Sequence, residues 1–382
     1  MEPFLAERYG NPSAAHALGR DAVRALDEAR EVVSDLLGCA PSELVFTSGG
    51  TESDVHAVSG GLPVRTGRVL CSAVEHPAVL RTVQAMGGST VRVGADGRVD
   101  LDELAQALAS PGPSEASDDV GPDRVSLVSV MTANNELGTI NDIDAVAGVL
   151  AEHPTRTPTG HRVTLHTDAV QAAPWLDVAQ LTARADLVSI SAHKFGGPKG
   201  VGALVVRSGA SLRPLLPGGG QEWGLRSGTT NVAGAVGMAA AFAVAAGERD
   251  GNGARVAALR DRLAGQLCTL DGVRRSVPAG TPVLPGTLHL IVDGVDSEPL
   301  LFLLDESGVL ASAASACSSG AAAASHVLEA IGIDLAAGGP RAALRLSLGH
   351  DITEGQVEVA AGVVRDRITR LRSGAALAGG RT

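Results

Sequence analysis

Short apolar runs alternate along this chain with segments whose apolar residues recur at helical spacing. The runs are rich in β-branched residues and occupy 44–47, 68–71, 125–130, 163–166, 187–191 and 287–292. Continuous apolar runs of this length are typical of parallel strands that are buried on both faces of a sheet. The pattern therefore predicts an α/β fold with a mostly parallel central sheet.

Helix signals occupy the segments between these strands. A turn at 48–53 (SGGTES) opens one helix, Pro77 begins another, and Asp100 to Glu103 has the spacing of a capping box for a helix through Leu108. Three further helices are predicted at 231–248, 298–306 and from Thr353 onward. The alternation of strands and helices is that of a layered α/β domain.

Glycine and polar residues mark two interruptions. Residues 110–124 are polar and rich in Pro and Gly, which predicts a surface loop. Residues 247–253 (GERDGNG) read as a hinge, and we place the domain boundary there. The prediction is a large domain at 1–247 and a smaller C-terminal α+β domain at 248–382.

Composition narrows the class of protein. With only Phe 5, Trp 2 and Tyr 1 among 382 residues, the core must be built from Val, Leu, Ile and Ala. The net charge is −11 and no basic run is present, so we expect no direct nucleic-acid binding. No charge-free apolar stretch reaches the ~20 residues that span a bilayer, and the N-terminus lacks a secretory pattern. We expect a cytoplasmic protein without a membrane anchor.

The four cysteines, Cys39, Cys71, Cys268 and Cys317, are far apart. They form no CxxC or Cys/His cluster with metal-ligand spacing, so we predict neither a metal site nor a disulfide framework. An isolated cysteine is usually a small buried hydrophobic residue. Cys317 differs because its neighbours at 311–320 (ASAASACSSG) are all small and uncharged. Such a segment buries little surface, so we expect a mobile loop.

The strongest chemical signal is the segment 189–200 (SISAHKFGGPKG), where a strand leads into Lys194 and a glycine-rich turn. A lysine at a strand end can be desolvated, which frees its amine for Schiff-base chemistry. A surface lysine is the alternative. Residues 191–194 also match the S-x-x-K motif of serine acyl-transfer enzymes, but that motif needs a helix, and its companion S-D-N and K-T-G motifs are absent.

Two other strand ends carry residues that suit pyridoxal 5′-phosphate (PLP). PLP needs a carboxylate that keeps its ring nitrogen protonated, and Asp168 fits that role, with Gln171 in reach of the ring. Alone, Asp168 would more often be a helix N-cap. The turn at 48–53 lies between a strand and a helix, where free N–H groups and the helix dipole favour a phosphate. Alone, it would be only a tight turn.

Taken together, these segments resemble the class V aminotransferase family, and specifically its cysteine desulfurase branch. The matching motifs, in chain order, are YGNPS at 9–13, TSGGTES at 47–53, EHPAVL at 75–80, ANNELG at 133–138, the Asp168 and Lys194 segments, GGGQE at 218–222, RSGT at 226–229, SACSSG at 315–320 and RLSLG at 345–349. Each motif is weak singly, but their order is highly specific. The resemblance implies a PLP-dependent transferase of fold type I.

The resemblance also implies residue roles. Lys194 would bind PLP covalently, His76 would stack on the ring and shuttle protons, and Asp168 would pair with the ring nitrogen. Gln171 would pair with the ring hydroxyl. The phosphate would be held by a set of small and polar residues, namely Gly50, Thr51, Ser191, His193 and, from the neighbouring subunit of a homodimer, Thr229. Asn135 and Arg345 would hold the substrate carboxylate, a task that suits the planar guanidinium fork.

Cys317 occupies the position of the family's sulfur-accepting cysteine. The resemblance implies that L-cysteine becomes L-alanine while its sulfur forms a persulfide on Cys317. The sulfur then passes to iron–sulfur cluster assembly scaffolds or to other thiolation acceptors. A mobile loop suits this thiol because it must reach first the cofactor and then an acceptor protein.

The sequence departs from the family pattern at its start. Tyr9 is only eight residues from Met1, and the strand that usually precedes the YGNPS motif is absent. Either a late start or a truncated chain would explain this. This departure motivates one alternative function, a catalytically weak sulfur-transfer scaffold. Another enzyme of the same fold, a selenocysteine lyase or other class V aminotransferase, is a second alternative.

Overall fold

The computed structural model describes residues 1–62, 67–110, 125–152, 162–313 and 325–379. Residues 111–124 of the predicted surface loop lie outside this part of the chain, as does Cys317. The ten α-helices of the described part are α1 Ala17–Leu37, α2 Gly50–Gly60, α3 Pro77–Ala85, α4 Leu101–Ala109, α5 Ile143–Glu152, α6 Val178–Leu181, α7 Val232–Leu267, α8 Ser297–Asp305, α9 His326–Ala330 and α10 Glu354–Gly379.

Ten strands accompany these helices within the described ranges. They are β1 Leu44–Thr47, β2 Arg68–Ser72, β3 Ser89–Val91, β4 Val125–Ser129, β5 Thr164–Asp168, β6 Leu187–Ser191, β7 Gly202–Val206, β8 Val273–Arg275, β9 Thr287–Asp293 and β10 Arg341–Ser347. Every strand predicted from an apolar run is present, with ends shifted by two residues at most.

Seven strands form the main sheet in the order β1-β7-β6-β5-β4-β2-β3. Neighbours from β3 to β6 pair in parallel, whereas β7 is antiparallel to both β6 and β1. Strands β4, β5 and β6 are buried along their whole length, as expected when helices cover both faces of a parallel sheet. The predicted α/β class with a mostly parallel sheet is confirmed.

Local signals account for several helix ends. The Asp100 side chain accepts a hydrogen bond from the Glu103 amide at 3.0 Å and caps α4 as predicted. Helix α3 starts at Pro77, where a missing N–H costs nothing. Helix α1 ends at Gly38, whose φ of 60° is left-handed and therefore suits glycine.

Contacts divide the chain into two compact units. The first comprises Met1–Arg92, Val99–Ala133 and Asn141–Arg249, and the second comprises Val93–Arg98, Asn134–Ile140 and Asp250–Thr382. Two short segments, Val93–Arg98 and Asn134–Ile140, thus belong to the second unit although they precede the boundary predicted near residue 248. The second unit contains its own antiparallel sheet in the order β10-β9-β8.

The predicted hinge at 247–253 is wrong, because these residues lie inside the continuous helix α7. Gly251 and Gly253 each cost about 1 kcal/mol relative to Ala in a helix interior, but Val256, Leu263 and Leu267 on the same helix are buried and their burial stabilises it. Burial of an apolar face outweighs local propensity here.

Helix α7 is also the one helix of the described residues that is long and apolar enough to cross a membrane, judged by length and composition alone. The apolar composition of the part of α7 in the first unit is explained by burial in the core. Met238 and Phe242 are buried there, and the Phe242 ring stacks on that of Phe195 with centroids 4.7 Å apart. An apolar helix of this kind is what a packed core requires.

Candidate active site

Asp168 is the last residue of β5 and is almost fully buried. One carboxylate oxygen accepts a hydrogen bond from the Val170 amide at 2.8 Å. Burial raises the pKa of Asp168 to about 6, against the opposing effects of the Val170 amide and of the Lys194 charge. The structure therefore brings Asp168 and Lys194 close enough to interact electrostatically, as the sequence predicted.

Lys194 lies just beyond β6, in a 3₁₀ turn formed by Ala192–Phe195. Its side chain is exposed in the single chain, so the desolvation expected from a strand end is not provided by this chain alone. Ser191, the last residue of β6, pairs its Oγ with His193 Nδ1 at 2.9 Å. Since Ser191 is in a strand, the helical S-x-x-K arrangement of serine acyl-transfer enzymes is absent.

The turn between β1 and α2 approaches Ser191 closely. Gly49 has a φ of 148°, which only glycine adopts readily. A Cβ on Gly50 would lie 3.0 Å from Val170 Cγ2 and 3.4 Å from Ser191 Cβ. The first backbone bond of α2 runs from the Ser53 amide to the Gly49 carbonyl at 3.1 Å. The amides of the three preceding residues, among them Gly50 and Thr51, therefore point out of the helix end toward any anion placed there.

The other predicted cofactor residues of the first unit lie on three further segments. His76 is the N-cap of α3, and its Nδ1 accepts a hydrogen bond from the Ala78 amide at 3.1 Å. Gln171 is half-buried in the turn that follows β5. Thr229 is exposed, which leaves it accessible to another molecule rather than to its own chain.

Asn135 and Arg345 contact each other within the second unit. Arg345 Nη1 donates a hydrogen bond to the Asn135 carbonyl at 2.8 Å. Two buried polar atoms of this pair, Arg345 Nε and Asn135 Oδ1, have no hydrogen-bond partner among the described residues. Buried polar groups are almost always hydrogen-bonded in native structures, so these two atoms indicate a ligand with complementary polar groups.

Comparisons with known proteins show the family of this chain. Residues 1–359 match the family model described as aminotransferase class-V. An IscS-like cysteine desulfurase from Mycobacterium tuberculosis is 41% identical over 97% of this chain and 92% of its own length. A cysteine desulfurase from Cereibacter sphaeroides is 38% identical over 98% of this chain and 92% of its own length. A solved NifS-like protein is 34% identical, covers 96% of this chain and 94% of its own, and superposes with a TM-score of 0.82.

The chain belongs to the class V aminotransferase family. This family and its cysteine desulfurase relatives imply a PLP-dependent enzyme, and the predicted fold type I is confirmed by the likeness to NifS-like structures. The residues present fit that cofactor. A buried carboxylate, a nearby lysine and a glycine-rich helix start that lacks Cβ atoms beside Ser191 match the ring nitrogen, the aldehyde and the phosphate of PLP respectively.

The cysteines of this family member differ in their surroundings. Cys71 is buried in the core of the first unit, where burial raises the pKa of its thiol, and Cys39 is half-buried with its pKa raised for the same reason. Cys268 is exposed. Thus Cys71 confirms the expectation of a small buried hydrophobic residue, whereas Cys268 does not. The segment of Cys317 lies outside the described residues, so its role stays a prediction.

A buried polar cluster below the β5 end was not predicted from the sequence. His166 pairs its Nδ1 with Ser129 Oγ at 2.8 Å and its Nε2 with Ser189 Oγ at 3.0 Å. Asp54 of α2 places Oδ1 3.8 Å from His166 Nε2, and both side chains are almost completely buried. The only sequence signal was the presence of polar residues inside apolar runs. Their partners come from separate strands, which a linear pattern cannot reveal.

Proposed function

We propose that this protein is a PLP-dependent cysteine desulfurase that converts L-cysteine to L-alanine and collects the sulfur on Cys317. The interaction between the buried carboxylate of Asp168 and the Lys194 amine is the observation that carries the proposal. It combines a lysine that can bind PLP covalently with a carboxylate that can pair with the ring nitrogen, two protein groups that are typical of PLP sites. The names of the relatives supply the substrate class.

Bound PLP supplies an electron sink that stabilises negative charge at the substrate Cα. The Asp168 carboxylate keeps the proton on the ring nitrogen, and Gln171 pairs with the ring hydroxyl. Amides at the start of α2, together with Thr51, Ser191 and His193, hold the phosphate. Lys194 Nζ anchors the cofactor and then moves the proton at the substrate Cα, a role that requires its neutral amine.

His76 is oriented for proton transfer by its own helix. Because His76 Nδ1 accepts the Ala78 amide proton, a neutral ring carries its proton on Nε2. The ring therefore presents a donor on the side away from α3. We assign this donor to proton delivery during formation of alanine, and the His76 ring would stack on the cofactor when it is bound.

The substrate carboxylate is assigned to Asn135 and Arg345. Arg345 Nε is buried without a partner in the described part of the chain, and a carboxylate oxygen would satisfy it. The Arg345 contact to the Asn135 carbonyl fixes the guanidinium plane, which lowers the entropy lost when a bidentate carboxylate binds.

Sulfur transfer is assigned to Cys317. Its thiolate attacks the substrate sulfur, the bond between that sulfur and the substrate Cβ breaks, and the electron pair of that bond stays with the carbon skeleton. The skeleton takes up a proton at Cβ and leaves as L-alanine, while Cys317 becomes a persulfide. The reaction is balanced without an external oxidant, because the two-electron oxidation of the Cys317 thiol to a persulfide is matched by reduction of the substrate Cβ–S bond to a Cβ–H bond.

Assembly and location belong to the same proposal. We assign a homodimer in which Thr229 completes the phosphate site of the partner, since Thr229 is exposed in the single chain. Iron–sulfur scaffold proteins or other thiolation proteins are the proposed sulfur acceptors, and the proposed location is the cytoplasm. Light scattering on the PLP-loaded protein tests the dimer directly.

The decisive experiment supplies L-cysteine and dithiothreitol to the purified PLP-loaded protein and measures sulfide and alanine. We expect equal amounts of both, and one additional sulfur atom on the Cys317 tryptic peptide when the reductant is omitted. Cys317→Ser should retain the visible absorbance of PLP and lose sulfide release. Cys268→Ser, which removes an exposed thiol of the described part of the chain, should leave both unchanged.

Other outcomes separate the alternatives. Sulfide release that survives Cys317→Ser refutes the role of that thiol. Amino transfer to a keto acid without sulfide indicates an aminotransferase, and activity restricted to selenocysteine indicates a lyase for that substrate. A colourless protein that takes up no PLP but still binds a scaffold protein indicates the non-catalytic alternative.

A further inference from the structure

The second unit contains a buried imidazole that none of the assigned roles uses. His289 lies in β9, directly opposite Arg345 in the antiparallel pairing with β10. Side chains of directly opposed residues extend from the same face of a sheet. His289 therefore shares the face of the sheet from which Arg345 reaches Asn135.

The same face is covered by the segment that contains Asn135. A Cβ on Gly138 would lie 2.7 Å from Thr287 Cβ, and Thr287 is two residues before His289 on the same side of β9. The Gly138 carbonyl also accepts a hydrogen bond from the Leu284 amide at 2.8 Å. Arg345 and His289 therefore share the face of this sheet that the Asn135–Gly138 segment covers within the second unit.

The orientation of the His289 ring is fixed from one side. His289 Nδ1 pairs with Ser276 Oγ at 2.5 Å, and the Ser276 amide donates to the His289 carbonyl at 3.1 Å. The side chain is only 4% exposed. Burial, and next the charge of Arg345, lower the pKa of His289 to about 3, so the ring is neutral near pH 7.

His289 Nε2 has no hydrogen-bond partner among the residues that the structure describes, and the same holds for Arg345 Nε and Asn135 Oδ1. When the Ser276 hydroxyl donates to Nδ1, the neutral ring carries its proton on Nε2 and is a donor. Two buried donors and one acceptor, all without partners, then occur on one side of the sheet. An α-amino acid offers the matching groups, because its carboxylate accepts and its ammonium donates.

We propose that His289 is a third residue of the substrate-carboxylate site, with its neutral Nε2–H donating to a carboxylate that Arg345 also binds. This inference rests on the proposed function, since it concerns the same substrate. The imidazole adds a directional contact and no charge. It thereby favours a substrate with an α-carboxylate over an amine thiol that lacks one.

The test compares L-cysteine with cysteamine, which has the thiol and the amine but no carboxylate. In the PLP-loaded His289→Leu variant we expect the KM for L-cysteine to rise about tenfold to a hundredfold, the range for a lost hydrogen bond to a charged group. The KM for cysteamine and the kcat for L-cysteine should change little. The dissociation constant of L-alanine, measured by calorimetry, should rise by the same factor as the KM for L-cysteine.

Further variants keep the test sharp if His289→Leu folds poorly. His289→Gln retains an N–H donor near the Nε2 position and should recover most of the L-cysteine affinity. Ser276→Ala removes the ring anchor and should give an intermediate KM. His56→Gln is the matched control, since His56 is also buried but bonds to the Arg213 carbonyl in the first unit; it should leave the KM unchanged.

The outcomes distinguish this inference from the proposed function. A wild-type protein that binds no PLP or releases no sulfide overturns the proposed function. An active wild-type protein whose L-cysteine KM and L-alanine affinity are unaffected by His289→Leu and Ser276→Ala overturns the role of His289 alone. Equal losses for L-cysteine and cysteamine would also overturn it, because they would indicate general damage.

Discussion

Asp54 of α2 and Asp168 of β5 are two buried carboxyl groups whose charges interact. Burial, and next the charge of Asp168, raise the pKa of Asp54 well above its usual value. Two interacting carboxyl groups in a low-dielectric region cannot both ionise easily, so one of them keeps its proton. Asp168 also accepts the Val170 amide and is near Lys194, so it is the member that carries the negative charge. Asp54 is the neutral acid.

The different charges of Asp168 and Asp54 predict unequal effects on PLP affinity for two similar substitutions. Asp168→Asn removes the anion that pairs with the ring nitrogen, so PLP affinity should fall about a hundredfold, in line with the ~3 kcal/mol lost when one partner of a buried ion pair is removed. Asp54→Asn replaces a neutral acid with a neutral amide of the same shape, so PLP affinity should stay within about threefold. Equilibrium titration of the PLP-free protein with PLP measures both. A large loss for Asp54→Asn would show that Asp54 is ionised.

Buried acids also predict how stability depends on pH. Burial raises the pKa of Glu75 to about 8 and that of Glu136 to about 7, whereas a glutamate in an unfolded chain titrates near 4.3. The folded chain therefore keeps protons that the unfolded chain has released, and the free energy of unfolding falls as pH rises through this range. His166 and His289, with pKa values lowered by burial to about 3, oppose this trend only below about pH 6.5.

Denaturant unfolding of the PLP-free protein between about pH 6.5 and pH 8 measures the effect. We expect the free energy of unfolding to decrease across this interval in the wild type and to decrease less steeply in Glu75→Gln, because that variant has no proton to release at this position. Glu103→Gln, in the first turn of α4, should retain the wild-type dependence of the free energy of unfolding on pH. A stability that rises with pH in this interval would contradict the assignment of buried, protonated carboxyl groups.

Glycine at the start of α2 gives a prediction about the phosphate. In Gly50→Ala the new methyl group would lie 3.0 Å from Val170 Cγ2 and 3.4 Å from Ser191 Cβ, which crowds the helix end assigned to the phosphate. PLP affinity should fall about tenfold or more, since a displaced oxyanion loses at least one charged hydrogen bond. The affinity for pyridoxal, which has no phosphate, should change much less.

Gly148→Ala is the control for this substitution. Gly148 lies inside α5, and a Cβ there would meet nothing within 4 Å. The change should stabilise the fold by about 0.5–1 kcal/mol, because alanine loses less backbone entropy in a helix. Both affinities should remain at the wild-type level. Equal losses of PLP and pyridoxal in Gly50→Ala would place the phosphate elsewhere.

Much of the fold was predictable because its signals are local. Strand β6 is a run of apolar and hydroxyl residues buried on both faces, and the cap of α4 needs only Asp100 and an amide three residues later. The continuity of α7 through Gly251 was not predictable in this way. It depends on the burial of Val256 and Leu263, and burial in the folded chain cannot be read from local propensity.

The candidate site divides along the same line. Asp168 and Lys194 were predictable because Asp168 is at the end of a strand and Lys194 lies just beyond one, and strand ends meet at one edge of a parallel sheet. His289 was missed because one polar residue in an apolar strand does not show which atoms face it. The role proposed for His289 rests on its pairing with Arg345 and on the absence of a partner for Nε2 within the described ranges.

The buried ion pair of Arg30 and Glu222 lies at the β1 edge of the main sheet. Strand β1 is an edge strand, and Glu222 Oε2 accepts its Phe46 amide at 2.9 Å while Oε1 accepts Arg30 Nη2 at 2.8 Å. Arg30 Nη1 donates to the Leu44 carbonyl at 2.6 Å. The pair thus satisfies backbone groups that an edge strand would otherwise expose. Glu222 and Trp223 have φ values of 48° and 61°, a strained geometry that persists only when such contacts hold it.

Glu222→Ala should therefore lower the free energy of unfolding by about 3–5 kcal/mol, the cost of an uncompensated buried charge together with an unsatisfied strand amide. Urea unfolding of the variant at pH 7 measures this loss. Glu103→Ala is the control, because its partner Arg92 has a side chain that is 78% exposed and such pairs contribute little.

Since the Gln221 side chain accepts the Gly228 amide at 3.0 Å, release of this turn should also loosen the segment that carries Thr229. PLP affinity should then fall together with stability in Glu222→Ala, and a variant that is as stable as Glu103→Ala would show that the edge of β1 does not depend on this pair.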